Sequence, residues 1–549
     1  MNSMTSMKSE SRIWNRGLLT AVASTAIALG AGCHAKHSQS AQPSSLENAA
    51  KLRRGIGGEP GTLDPAAAAD SFSLEVLGDL YEGLTAEAAD GTVGPGVATA
   101  WTVDPSGTRY EFHLRHDARW SNGLPVRAQD FVNAWRRVVD PKQGSPVADN
   151  LRVILGADEI IAGHAIPSSL GVSAPRDDVL EVALARPAPY FPQLLTHYST
   201  FPLFSESAAK SHDSKTWVSN GAYVLSNWTP GGTLQLLKNP MYWDRDHVAI
   251  TNVVYVPVPD ENAEWLRYRA GELDLTQSVP AAALASIREG NLSELHLAPF
   301  LGTMYYAFNL RAAPFENNVD LREALAMAIN RQAILAAVLP FGQKPAFGFV
   351  PNGTWNYQPQ SWDWADTPDA MRIGEAQRLY AKAGYSRQAP LHLKVLFNSS
   401  PSIKQIAIAT AAMWKETLGV ETELIDEEYR VFLDSRKDMS RWDVVRLAWV
   451  ADYNDAGSFL ETLRTGSAND DSGYDNPQFN ALIDKAERTA DTQSRREILE
   501  SAERTMLADY PIVPIYFFSS KRLFKPYIQG ELPNPLNRLY SKHLKIVAR

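Results

Sequence analysis

Apolar and polar residues alternate at Tyr110, Phe112 and Leu114, which predicts a half-buried strand entered through the turn Asp104-Pro-Ser-Gly107. The period then lengthens, and Phe131, Trp135 and Val138 fall on one face of an amphipathic helix. Farther along, LHLKVLFN (residues 391–398) is a strand. Ile403, Ile406, Thr410 and Met413 mark one helix face, which Gly419 is placed to end. Residues 420–425 alternate again, so strand, helix and strand form a βαβ unit in a partly parallel sheet. Residues 443–450 make one more strand, with Asp452 just past its end. Ligands in open α/β sheets sit outside the carboxyl ends of strands, so Asn398 and Asp452 are site candidates by position. The expected class is α/β with mixed sheets.

A chain of 549 residues exceeds one ordinary core, so at least two lobes are expected. A net charge of -9 argues against a general nucleic-acid binder, which needs a basic face. The single cysteine, Cys33, closes an export pattern. Lys8, Arg12 and Arg16 precede a mostly apolar run over residues 17–32, too short for a membrane span but suited to a signal peptide. Leu29-Gly-Ala-Gly-Cys33 resembles a bacterial lipobox, which implies that residues 1–33 form a lipoprotein signal in which Cys33 is acylated and becomes the mature N-terminus. Gly30 stands where that motif usually has leucine. Residues 34–50 read as a flexible tether, and His34 and His37 within it as spacer.

Chemistry-bearing motifs are absent. There is no GxSxG elbow, HExxH helix, phosphate-binding GxxxxGK[ST] loop or EF-hand loop, so neither an enzyme nor a cofactor or metal site is expected. The pairs Asp470-Asp471 and Glu427-Glu428 read as solvated turns. His113 and His116, at odd spacing in a strand, would point to opposite faces.

Six segments, in order, resemble the oligopeptide-binding proteins among bacterial ABC-importer solute-binding proteins. They are residues 96–141, with Trp120-Ser-Asn-Gly-Leu-Pro125; Asn220-Gly-Ala-Tyr223 followed by residues 238–244; Tyr268-Arg-Ala-Gly-Glu-Leu-Asp274; residues 304–331; residues 446–460, RLAWVADYNDAGSFL; and residues 511–530. The resemblance implies a bilobed fold of three subdomains with a hinge. One lobe would join residues 51–69, 197–302 and 519–549; residues 70–196 would be inserted in it; residues 303–518 would form the other lobe. The implied function is capture of short peptides between the lobes, in the periplasm, for a membrane permease and its ATPases, by a monomer tethered through lipid.

The resemblance also implies roles for residues. Asp452 would hold the peptide amine. Ala448, Trp449 and Val450 would pair with its backbone, facing Glu59, Pro60 and Gly61. Pro60 departs from the family and brings no N–H. Trp449 and Tyr429 would line side-chain pockets, and Arg446 and Arg436 would meet the carboxylate. Asn398, Tyr305 and Phe518 complete the set. Ile403 and Leu339 replace cations of the family, Gln277-Ser278 replaces a Tyr-Asn pair, and Phe518 replaces a tyrosine, so length preference is open. A murein peptide, a dipeptide, a metal chelate, a hydrolase acting on peptides and a receptor of peptide signals remain as alternatives.

Overall fold

A computed structural model describes residues 51–204, 216–290, 292–339 and 341–547. The export signal, Cys33 and the tether lie outside those residues. No helix among the described residues is long and apolar enough to cross a membrane.

Three sheets of four or more strands organise the chain. The first has the order β1 (Lys51–Ile56), β10 (Asn252–Pro257), β9 (Leu234–Lys238), β8 (Tyr223–Trp228), with β1 parallel to β10 and the rest antiparallel. The second is antiparallel, β4 (Ala98–Val103), β5 (Arg109–Leu114), β7 (Val179–Ala183), β6 (Val172–Arg176). The third is mixed, β12 (Lys344–Pro345), β16 (Ile512–Leu523), β11 (Leu295–Phe308), β15 (Val444–Val450), β13 (His392–Asn398), β14 (Glu421–Glu427). Two short pairs, β2 (Thr85–Glu87) with β3 (Val93–Pro95) and β17 (Ile528–Gln529) with β18 (Lys545–Ile546), complete the strands.

The first two sheets share one core, in which Leu52, Phe112, Trp135, Tyr223 and Phe524 are all buried. The third sheet has its own core, from Leu301 to Tyr516. Helix α1 (Ser71–Leu80) begins under an Asp70 side-chain cap on the Ser73 N–H. Helix α2 (Ala128–Val139) buries the expected face of Phe131, Trp135 and Val138. The expected βαβ unit is β13, α3 (Pro401–Leu418) and β14, with β13 parallel to β14. Gly419 closes α3 at φ 84°, the left-handed geometry glycine adopts without strain.

Three readings from sequence are corrected. Strand β5 stops at Leu114, so His116 lies beyond it, and His113 sits 3.2 Å from Glu111. Asp470-Asp471 is no solvated turn: the Asp471 side chain is 8% exposed and ion-paired with Arg436 at 3.3 Å. Nor is Glu427-Glu428: Glu427 ends β14 and accepts from Arg441 at 2.7 Å, while Glu428 caps the helix that follows.

Candidate functional site

Strand β15 joins β13 only at Val444 and Val445, while on its other side it pairs with β11 from Val444 to Val450. Residues 446–450 therefore have one edge without a strand neighbour among the described residues. The Ala451 N–H donates to the Leu301 carbonyl of β11 at 2.9 Å. Hydrogen-bonding direction alternates along an antiparallel strand, so Trp449 and Leu447 also face β11, while Ala448 and Val450 turn their N–H and C=O to the open edge. Both of those residues are exposed. Such an edge is a template for another extended chain.

Asp452 stands where that edge ends. Its carbonyl accepts from Arg538 at 3.0 Å, and its N–H donates to the Ser458 hydroxyl oxygen at 3.2 Å. Among the described residues no cation lies within 4.0 Å of its carboxylate. Burial pushes that carboxyl up to about 6, with Arg538 pulling the other way. Two chambers meet here. One, of about 720 Å³, has Leu74, Phe201, Phe300, Tyr429 and Leu536 in its wall. The other, of about 610 Å³, is lined by charged residues including Arg186, Glu461, Arg464 and Glu487. The two share only Trp449 and Asp452. In the first chamber, the Trp449 indole N–H and the Gln277 side-chain oxygen are buried with no hydrogen-bond partner among the described residues.

The other candidates divide. Tyr429, 57% exposed, opens the helix α4 (Tyr429–Ser435) and reaches the first chamber. Phe518 stacks on Phe300, a chamber residue, with centroids 5.4 Å apart. Asn398 ends β13 and accepts from Arg446, the third residue of β15, at 3.1 Å, which ties that guanidinium to the end of the neighbouring strand. Neither Arg446 nor Arg436 lines the two chambers, and Arg436 is committed to Asp471. Tyr305 is buried against Phe349, edge to face at 5.1 Å. The Glu59 carboxylate is occupied by the β8–β9 turn, accepting from Trp228 at 3.2 Å and Gly231 at 3.0 Å. The Gly61 N–H reaches Asp70 at 3.3 Å. With Pro60 lacking a donor, this segment offers an extended chain fewer free N–H groups than β15 does. Ile403 packs with Phe397 and Ala407 and serves the core.

Sequence reasoning missed Arg538. It bridges Glu87 at 2.7 Å, the Thr196 carbonyl at 3.1 Å and the Asp452 carbonyl, and it stands 86 positions after Asp452. His197 beside it is held well below the usual imidazole range by burial and then by that cation, so it stays neutral.

A profile described as bacterial extracellular solute-binding proteins, family 5 middle, matches residues 92–471. The chain belongs to this family. Among family 5 relatives, the periplasmic oligopeptide-binding protein OppA of Escherichia coli (strain K12) is 36% identical over 507 residues, 90% of this chain and 92% of its own. The solved Escherichia coli murein tripeptide binding protein MppA superimposes with a TM-score of 0.79 at 35% identity, covering 91% of this chain and 99% of that one. Haemophilus influenzae OppA, solved in complex with the peptide RPPGFSPFR, gives 0.76 at 33% identity and covers 91% and 99%. The fold is the bilobed one of these solute-binding proteins, with mixed sheets.

Proposed function

We propose that this protein captures short peptides with a free amino terminus and hands them to an ABC importer. One observation carries the reading: a strand edge without a strand neighbour ends at a half-buried carboxylate that has no cation within 4.0 Å among the described residues. The amine sits on Asp452. The backbone bonds to Ala448 and Val450, and the carboxylate lies toward Arg446, so the peptide runs antiparallel to β15. Trp449 and Tyr429 bound the space for its side chains. Support comes from the peptide-binding relatives, which align over nearly the whole chain.

The lobes divide as residues 51–69, 197–302 and 519–549, with 70–196 inserted, against 303–518. The hinge lies where β11 and β16 lose register between Pro299 and Thr303. The protein binds without chemistry and works outside the cytoplasm as a monomer, with Cys33 carrying the lipid tether.

The test is mass spectrometry of small molecules released by denaturing the purified protein. Peptides of mixed sequence are the expected result. A single compound that is not a peptide, with added peptides failing to raise the melting temperature, would overturn the reading.

A further inference from the structure

The chamber of about 610 Å³ holds an imbalance that the peptide backbone does not resolve. Its three arginines are all matched. Arg152 bonds Asp149 at 2.8 Å and Asp158 at 2.5 Å, Arg186 meets Glu487 at 3.0 Å, and Arg464 meets Asp484 and Glu487. Two of its carboxylates are not: Asp452 and Glu461 have no cation within 4.0 Å among the described residues. An amine on Asp452 leaves Glu461 over.

Glu461 lies directly beside Gly457. It follows the short helix α5 (Gly457–Leu460), and its carboxylate lies over Gly457, where a Cβ would stand 3.0 Å from Oε1. Neighbouring Asp455 is satisfied by the fork of Arg495, at 2.7 and 2.8 Å, so that cation is spoken for. Burial first, and then Glu487, push the Glu461 carboxyl up to about 7 against the pull of Arg186 and Arg495, as befits an anion short of a partner.

The geometry follows from an extended ligand. Successive side chains leave a strand on opposite sides. Among the described residues Asp452 and Trp449 alone are common to both chambers, and Glu461 lines the charged chamber together with Asp452, so a first residue anchored at Asp452 has that chamber beside it for its side chain. The aromatic and aliphatic wall of the larger chamber suits an uncharged side chain. The charged chamber, with its spare carboxylate, suits a basic one.

We propose that Glu461 binds the basic side chain of a peptide's first residue, which makes peptides beginning with lysine, ornithine or arginine the preferred class of ligand. This rests on the peptide-binding reading above. It is tested by titrating Lys-Ala-Ala and norleucine-Ala-Ala, which share an unbranched four-carbon side chain that ends in an ammonium only in lysine, into the wild-type protein and Glu461→Gln. Wild type should bind the lysine peptide at least about fivefold more tightly, the scale of a charge pair shielded from water. Glu461→Gln should bring the ratio to about one. Equal affinities in the wild type would overturn the inference without any variant, and so would a preference that survives Glu461→Gln, while peptide binding itself stands in both cases. If neither peptide binds, the peptide reading falls and this inference with it.

Discussion

Asp452 carries an internal conflict that the amine of the proposed ligand would resolve. Its pKa in the folded, empty protein lies above the ordinary value of 3.8, so its contribution favours folding most below that value and is lost as pH rises through about 6. Asp452→Asn should therefore raise the melting temperature of the empty protein at pH 7.5 in calorimetry, while weakening free-amine peptides more than about tenfold, as expected for a charge-assisted bond away from water. The same pKa sets a pH dependence. An ammonium needs the ionised carboxylate, so affinity should be level above pH 7 and fall by about tenfold per unit below 6, as followed by titration across that range. Asp452 was legible because two signals coincide on it, the end of a strand and the segment RLAWVADYNDAGSFL. Arg538 was not legible: no periodicity or motif marks it, and only the fold brings it to Asp452 and Glu87.

At the scale of the element, β15 matters through what it leaves unpaired. An Ala448→Pro substitution removes an N–H that points to the open edge, so β15 keeps its bonds to β11, and edge positions tolerate proline. We expect a melting temperature close to wild type and peptide affinity lowered by about 1 kcal/mol, the net worth of one backbone hydrogen bond. Loss of folding would show that Ala448 faces the sheet instead. The strand run of residues 391–398, the helix face from Ile403 to Met413 and the alternation of residues 420–425 gave away the neighbouring βαβ unit, since each carries the period of its element. The carboxylate pairs misled because local polarity says nothing of burial. Asp470-Asp471 looks like a turn but lies under the Arg436 side chain.

Across the whole molecule, residues far apart in sequence clasp one side of the charged chamber. Tyr190 stacks on Tyr453 at 5.1 Å with rings 11° apart, Arg495 lies 4.7 Å over the Tyr190 ring, and Arg186 meets Glu487. In the proposed division of lobes these contacts join residues 70–196 to residues 303–518, the two sides whose closure would trap a ligand. Tyr190→Ala should speed peptide dissociation several-fold in stopped-flow measurements, with association little changed. The family and its bilobed fold were visible in the sequence through the ordered family segments, whereas this clasp depends on side chains whose partners only the folded chain reveals. The most direct test of the central claim compares trialanine with its N-acetylated form by calorimetry on the wild-type protein. If the amine on Asp452 anchors the ligand, trialanine binds and acetylation weakens it by more than about tenfold; equal affinity for the two forms would contradict the account.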